Sequence, residues 1–375
     1  MVWGRNWTMS STRPNCGEGC LEFLGQELPE LDGRNACHRS AFKGHLACLR
    51  YAHENGCLWN EWTCSAASLY GHLECLRYAH EEGCPWNGWT CSFASERGQL
   101  KCLQYAHEHG CPWNEETCHL ASQNGHLDCL RYAHENHCPW NEDTCAEASR
   151  TGQLECLRYA HERGCPWNEK TCYLASWNGH LECLRYAHEQ GCSWDETTCG
   201  MASNYGHLEC LRYAHENGCP WGESTCTWAS NDGHLECLRY AHEQGCPWDK
   251  RTTLMASKHG QLECLRYALE KRCPVPDFTT ITVHPSVIAY LYHRGVRLSV
   301  NNSDHLRDHQ RKHIGKARTL LRCAVALLGV YLRACERVYS PDGAGYREAE
   351  ISFRESALQS ASDPTPGIEG RIRDH

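Results

Sequence analysis

Cysteine returns every 27 residues along most of this chain, in three columns at once, and that spacing constrains the fold more than any other feature. One column runs from Cys48 through Cys75, Cys102, Cys129, Cys156 and Cys183 to Cys264. A second runs from Cys57 through Cys84 to Cys273, and a third from Cys37 through Cys64 to Cys226, after which Thr253 takes the ninth place. Of thirty cysteines only Cys16, Cys20, Cys323 and Cys335 stand outside these columns. A constant period of this size, held nine times without an insertion, is the signature of one supersecondary unit stacked into an array.

The copy from Asn60 to Trp86 shows what the unit is. Asn60 is an N-cap, because its side-chain oxygen can accept from the orphan amides of the turn that follows. Residues 61–70 fit a short helix that Gly71 stops by taking the left-handed conformation. His72 opens a second helix over 73–82, with Leu73, Leu76 and Ala79 at helical spacing. Glu74, Arg77 and Glu81 make ion pairs on its wet side. Gly83 ends it and Pro85 forbids its continuation. Helices of about ten residues are unstable alone in water, so each hairpin has to bury its apolar faces against both neighbours. The expected fold is all-α, a solenoid of nine helix–turn–helix repeats. The tryptophans of the return loop (Trp86, Trp113, Trp140, Trp167 and Trp194 among them) are expected to wedge between units as buried core. Cys75, Cys84, Cys102, Cys129, Cys156 and Cys183 belong to the same expected core.

The stretch T-C-x-x-A-S-x-x-G-H-L-E-C-L-R-Y-A-H-E-x-G-C-P-W-N resembles the ankyrin repeat. Ala67-Ser68, Gly71-His72, Gly83 and Asn87 fall on that family's own marks, while Cys64, Cys75, Cys84 and Trp86 fall on its apolar positions. The resemblance covers about residues 35–300. The usual ankyrin repeat is about 33 residues long, and the residues lacking here are those of its projecting β-hairpin. The chain looks like the short Cys- and Trp-rich variety found in large DNA viruses of amoebae and in some protists. The resemblance implies an ankyrin-like solenoid that acts as a non-enzymatic protein-interaction scaffold, binding a protein partner on its concave inner-helix surface, a host protein if the source is viral. It also brings in a second role known for viral members, that of a substrate adaptor for a ubiquitin ligase.

Each repeat offers cysteine and histidine, so metal and redox chemistry have to be weighed. Zinc sites are usually built from C-x2-4-C knuckles, whereas the spacings inside a repeat are C-x10-C, C-x8-C and C-x6-C. Free cysteine behaves as a small buried hydrophobe, and reduced core thiols with no metal and no cofactor are the expectation. Disulfides between equivalent cysteines of stacked repeats would span too far, which leaves a pair inside one repeat as the open alternative, and with it a metal- or redox-buffering role for the chain. One histidine column (His45, His72, His126, His180, His207, His234) gives way to Gln at 99, 153 and 261, which fits a backbone hydrogen-bonding role. The other, from His53 to His242, ends each second helix, where a protonated imidazole would meet favourable dipole charge. His305, His309 and His313 align on one helical face that is expected to be solvated. No phosphate-binding glycine loop and no G-x-S-x-G elbow is present, and His134-Glu135-Asn136-His137 falls one residue short of H-E-x-x-H. Every Cys–His–Glu grouping recurs along the array, as structure does and a single active site does not, so no enzyme is expected.

What varies between repeats marks the surface. The pair before the first-helix glycine and the pair opening that helix change in every copy. They place Trp62, Tyr70, Trp89, Arg97, Arg150, Trp177, Tyr205, Asp232 and Lys258 as candidate partner contacts. Lys and Arg number 37 against 46 Asp and Glu, giving −9, which argues against a phosphate-backbone partner. The N-terminal stretch lacks the apolar segment of a signal peptide, and the longest near-apolar run is about half a membrane span. An intracellular monomer, cytoplasmic or nuclear, with no nucleic-acid or membrane partner follows. The expected organisation is a disordered N-terminus (1–15), an N-terminal cap (16–34), nine repeats (35–276), a degenerate C-terminal capping repeat (277–300), a helical lid (301–340) and a mostly disordered tail (341–375).

Overall fold

The computed structural model describes residues 36–298. The expected N-terminal cap, the lid, the tail and the His305/His309/His313 face lie outside the described residues. The chain divides into two compact units, Met1–Pro276 and Asp277–His375. Nineteen helices and no strand occur among the described residues. Eighteen form nine hairpins between Ala36 and Glu270, and the last, Pro285–His293, belongs to the second unit. The hairpin of the unit analysed above is Glu61–Leu69 followed by Leu73–Glu81. Asn60 accepts from the Trp62 amide at 3.1 Å, the cap its sequence implies. Both helices end in the same motif: Gly71 N–H donates to the Ser68 carbonyl and His72 N–H to Ala67, while Gly83 donates to His80 and Cys84 to Ala79. This paired closure satisfies the last orphan carbonyls and puts one glycine of each helix end at positive φ, +74° and +84°.

Successive hairpins stack through both helices, the first helices packing closely and the second helices less so. Cys64, Ala67, Leu76 and Ala79 are completely buried, and so are their equivalents in other repeats. Two hydroxyl positions share this core. Ser68 Oγ donates to the Thr90 carbonyl of the next repeat at 2.7 Å, and Ser122 and Ser203 repeat the bond to Thr144 and Thr225. The His/Gln column also crosses between repeats. His72 Nε2 lies 3.2 Å from the Phe42 carbonyl, and Gln261 Nε2 donates to the Asn231 carbonyl at 3.3 Å.

The tryptophan column departs from expectation. Trp86, Trp113, Trp140, Trp167 and Trp194 are half-buried, not sealed in the core. Each indole stacks on the histidine ending its own second helix and meets the edge of a tyrosine in the next repeat. Trp140 lies 4.0 Å from the His134 ring and 6.5 Å from Tyr159. His134 Nδ1 and the Tyr159 hydroxyl share a hydrogen bond of 3.1 Å, and Arg131 covers the phenol at 5.5 Å. This group recurs from His53–Tyr78 to His242–Tyr267. An indole needs only one face and one edge covered to join two repeats, which leaves the other side in water. At three of these histidines the shift runs opposite to the expected dipole effect. Burial lowers the pKa of His80, His134 and His242 below the ordinary value, with nearby cations adding to it. Burial also lowers His180 and His207.

Two glycine columns share a left-handed backbone but not its surroundings. At Gly152 (φ +76°) an added Cβ would sit 2.6 Å from Nδ1 of His180 in the next repeat. At Gly164 (φ +83°) it would meet nothing within 4 Å. The sequence follows this difference: the first column is glycine in every copy, while the second admits His137 and Arg272 at φ 65° and 60°.

Gly164→Ala should therefore lower stability by roughly 1–2 kcal/mol, the left-handed strain alone. Gly152→Ala should add roughly 1–3 kcal/mol of overpacking; equal losses in denaturant melts would contradict the inter-repeat contact. The lowered histidines carry a second expectation. Because the unfolded chain takes up protons first, their contribution is complete above about pH 6.5 and is lost as pH falls through the lower folded values. The melting temperature should drop between pH 7.5 and 5.5, and a flat or rising profile would refute the assignment.

Candidate partner-binding surface

The first helices present what the stack leaves over. Trp62, Tyr70, Trp89, Trp177 and Tyr205 are 48, 40, 46, 37 and 43% exposed. Large aromatics at that exposure are not core, and they fall in three groups that cross repeat boundaries. Phe42 and Tyr70 lie 4.3 Å apart, and Trp177 stacks on Tyr205 at 5.4 Å with an interplanar angle of 28°. Both pairs come from the residues ahead of the first-helix glycine. The third group lies at the start of the first helices, where Trp62 and Trp89 flank Phe93 at 6.5 and 5.4 Å. A cavity of about 280 Å³ opens beside it, lined by Asn87, Gly88, Trp89, Ser92, Asn114 and Glu116.

The charged candidates divide. Arg97, Asp232 and Lys258 are exposed. Arg97 pairs with its neighbour Glu96 at 3.7 Å. Arg150 is half-buried and held by Glu147, so its guanidinium is already engaged within the array. Acidic side chains occupy the first turn of most first helices: Glu61, Glu115 and Glu116, Glu142 and Asp143, Glu169, Glu196, Glu223. There they also meet the favourable end of the helix dipole, so part of their purpose is structural. Cations enter the rim late. Lys170 lies 3.6 Å from Asp143, and Arg251 bridges Asp249 and Glu223 at 2.9 and 2.7 Å.

Sequence reasoning missed one ribbon. The position two residues after the first-helix cysteine holds Phe93, Leu120, Leu174, Met201, Trp228 and Met255, interrupted by Glu147. Leu174 is buried and the other five apolar side chains are half-buried. The ring of Trp228 occupies the space a side chain at Gly200 would need in the repeat before it. This column is apolar yet differs from copy to copy, a combination that neither the search for constant core positions nor the search for variable polar ones isolates.

Among the described residues no group of three or more His, Cys, Asp or Glu is placed to hold a metal ion, and no helix is long and apolar enough to cross a membrane. The histidines from His53 to His242 that end the second helices are engaged in the inter-repeat contacts given above, and the cysteines of the array are buried.

No family model matches the chain, and no curated protein matches it significantly. Among solved structures it is similar to the crystal structure of the human ASB11 ankyrin repeat domain, at 18% identity over 42% of this chain and 84% of that chain, with a TM-score of 0.37.

Proposed function

We propose that the chain is a non-enzymatic scaffold that binds a protein partner across its first-helix surface. The observation that carries this reading is the division of the repeat into two populations. Side chains that join repeats recur with little change, whereas those on the first-helix surface change at every copy and include the exposed aromatics Trp62, Tyr70, Trp89, Trp177 and Tyr205. A surface with no partner has no use for exposed indoles and phenols grouped across repeat boundaries, while aromatic side chains are the usual anchors of protein interfaces. The acidic first turns favour a partner segment that carries Lys or Arg around an apolar anchor. Net charge −9 weighs against nucleic acid.

The Trp177–Tyr205 pair gives the most direct test, because both rings lie outside the core and touch each other. A Trp177→Ala, Tyr205→Ala double variant should keep its melting temperature, with a stability change within about 0.5 kcal/mol. It should lose at least about tenfold in affinity for a protein captured by the unaltered chain from cell extract, the effect of removing one hot-spot pair. Undiminished binding would remove this surface from the interface.

A further inference from the structure

Each hairpin of the array but the last carries two cysteines that meet inside it. The first-helix cysteine is completely buried, and the return-loop cysteine twenty residues later is 3–4% exposed. Cys37 Sγ lies 3.7 Å from the Cys57 carbonyl oxygen, Cys64 Sγ 4.0 Å from that of Cys84, and Cys199 Sγ 3.9 Å from that of Cys219. In all eight repeats the two thiols lie close enough to interact electrostatically. The ninth hairpin has Thr253 where the others have the first-helix cysteine, and its hydroxyl turns instead to the Lys250 and Pro274 carbonyls.

A second observation points to the loop sulfur. The loop sulfur donates to a backbone carbonyl twenty-four residues earlier, Cys84 to Asn60 and Cys192 to Asn168, each at 3.2 Å. We propose that each of the eight Cys–Cys pairs is a redox dithiol, converted to a disulfide within its own repeat by a soluble disulfide oxidant of the glutathione class.

The ionisation of the sulfurs agrees with this geometry. The first-helix thiol, close to its neighbour, holds Cys57 down to about 6 and lowers Cys192 and Cys246. Cys273, whose partner position is Thr253, is instead pushed up by burial to about 12. The second-helix cysteines are pushed up by burial too, Cys129 and Cys156 to about 12, and stay inert thiols. The loop thiolate attacks one sulfur of the oxidant, forming a mixed disulfide and releasing one half as a thiolate that takes up a proton. The first-helix thiol then gives up its proton and attacks the loop sulfur, forming the Cys172–Cys192 bond in that repeat and expelling the second half as a thiol. Two protons and two electrons pass from the protein pair to the oxidant, which leaves as two thiols. The product is neutral, as a buried site requires, whereas a metal held by two thiolates would bury charge.

Peptide mapping of the whole chain tests this, after incubation with oxidised glutathione until the thiol titre is constant and alkylation under denaturing conditions. The expected linkages join residues i and i+20 in eight repeats, with Cys273 and the second-helix column alkylated and the linkages reversed by dithiothreitol. An unchanged thiol titre, linkages between repeats, or linkages to the second-helix column would overturn the proposal. Cys172→Ala should leave Cys192 as a glutathione mixed disulfide and the other seven linkages intact. Thr253→Cys should add a ninth linkage, to Cys273, and decides the matter if the alanine variant does not fold; absence of that linkage in the oxidised, folded chain would also count against the pairing.

Discussion

Burial against the next copy is the interaction on which everything else in this chain rests. A hairpin of two nine-residue helices cannot hold itself together, and no single hairpin encloses Cys64, Leu76 and Ala79 on all sides. Only a neighbour closes that core, so the contacts between repeats are the fold. They are made by a small, recurring set of groups. A serine hydroxyl reaches a threonine carbonyl one repeat on, an imidazole or amide covers the glycine of the repeat before, and a Trp–His–Tyr cluster joins the ends of successive second helices. Each of these fixes the distance to the next unit, which explains why the spacing admits no insertion.

That division of labour leaves the first-helix surface free to differ. Trp177 and Tyr205 can meet in one place and Glu96 and Asn124 occupy the matching positions elsewhere, because neither choice disturbs the stack. The dithiols sit on the other side of this division. They lie among the constant positions and repeat with the core, so oxidising them would act on the stiffness of the array and not on the chemistry of its variable surface. Thr253 keeps the shape of the position while removing its sulfur, which shows that the packing of the hairpin does not itself require a thiol there.

Much of the fold was legible in the residues, since capping and termination are local. Asn60, Gly71 and Gly83 fix the helix ends within a residue, and Leu76 and Ala79 fall on the buried face. What escaped depended on contacts between repeats. A tryptophan next to a proline reads as core, yet Trp140 is covered on one face by His134 and on one edge by Tyr159 and stays half-buried. The lowering of His80, His134 and His242 followed the same route, since its cause is burial. Thr63 and Ser68 carry hydroxyls and are nevertheless completely buried. Of the candidate contacts, the aromatics are exposed as a binding surface needs, while Arg150 is tied to Glu147 for reasons no periodicity displays. The facing of Cys64 and Cys84 was equally hidden, because a twenty-residue separation carries no helical register.

The central claim is that each copy interacts with its neighbours through fixed, interchangeable faces. Removing residues 142–168, one full period, brings Asn141 next to Glu169 and so restores an Asn–Glu helix start identical to the one removed. The shortened chain should keep its helical circular dichroism per residue and a cooperative melt, with only a modest loss of stability. Removing 147–172, one residue short of a period and joined inside the first helix, should abolish both, because the rest of that helix is then turned by about 100° relative to its neighbour. If the two deletions behaved alike, the repeats would not be held by the contacts described.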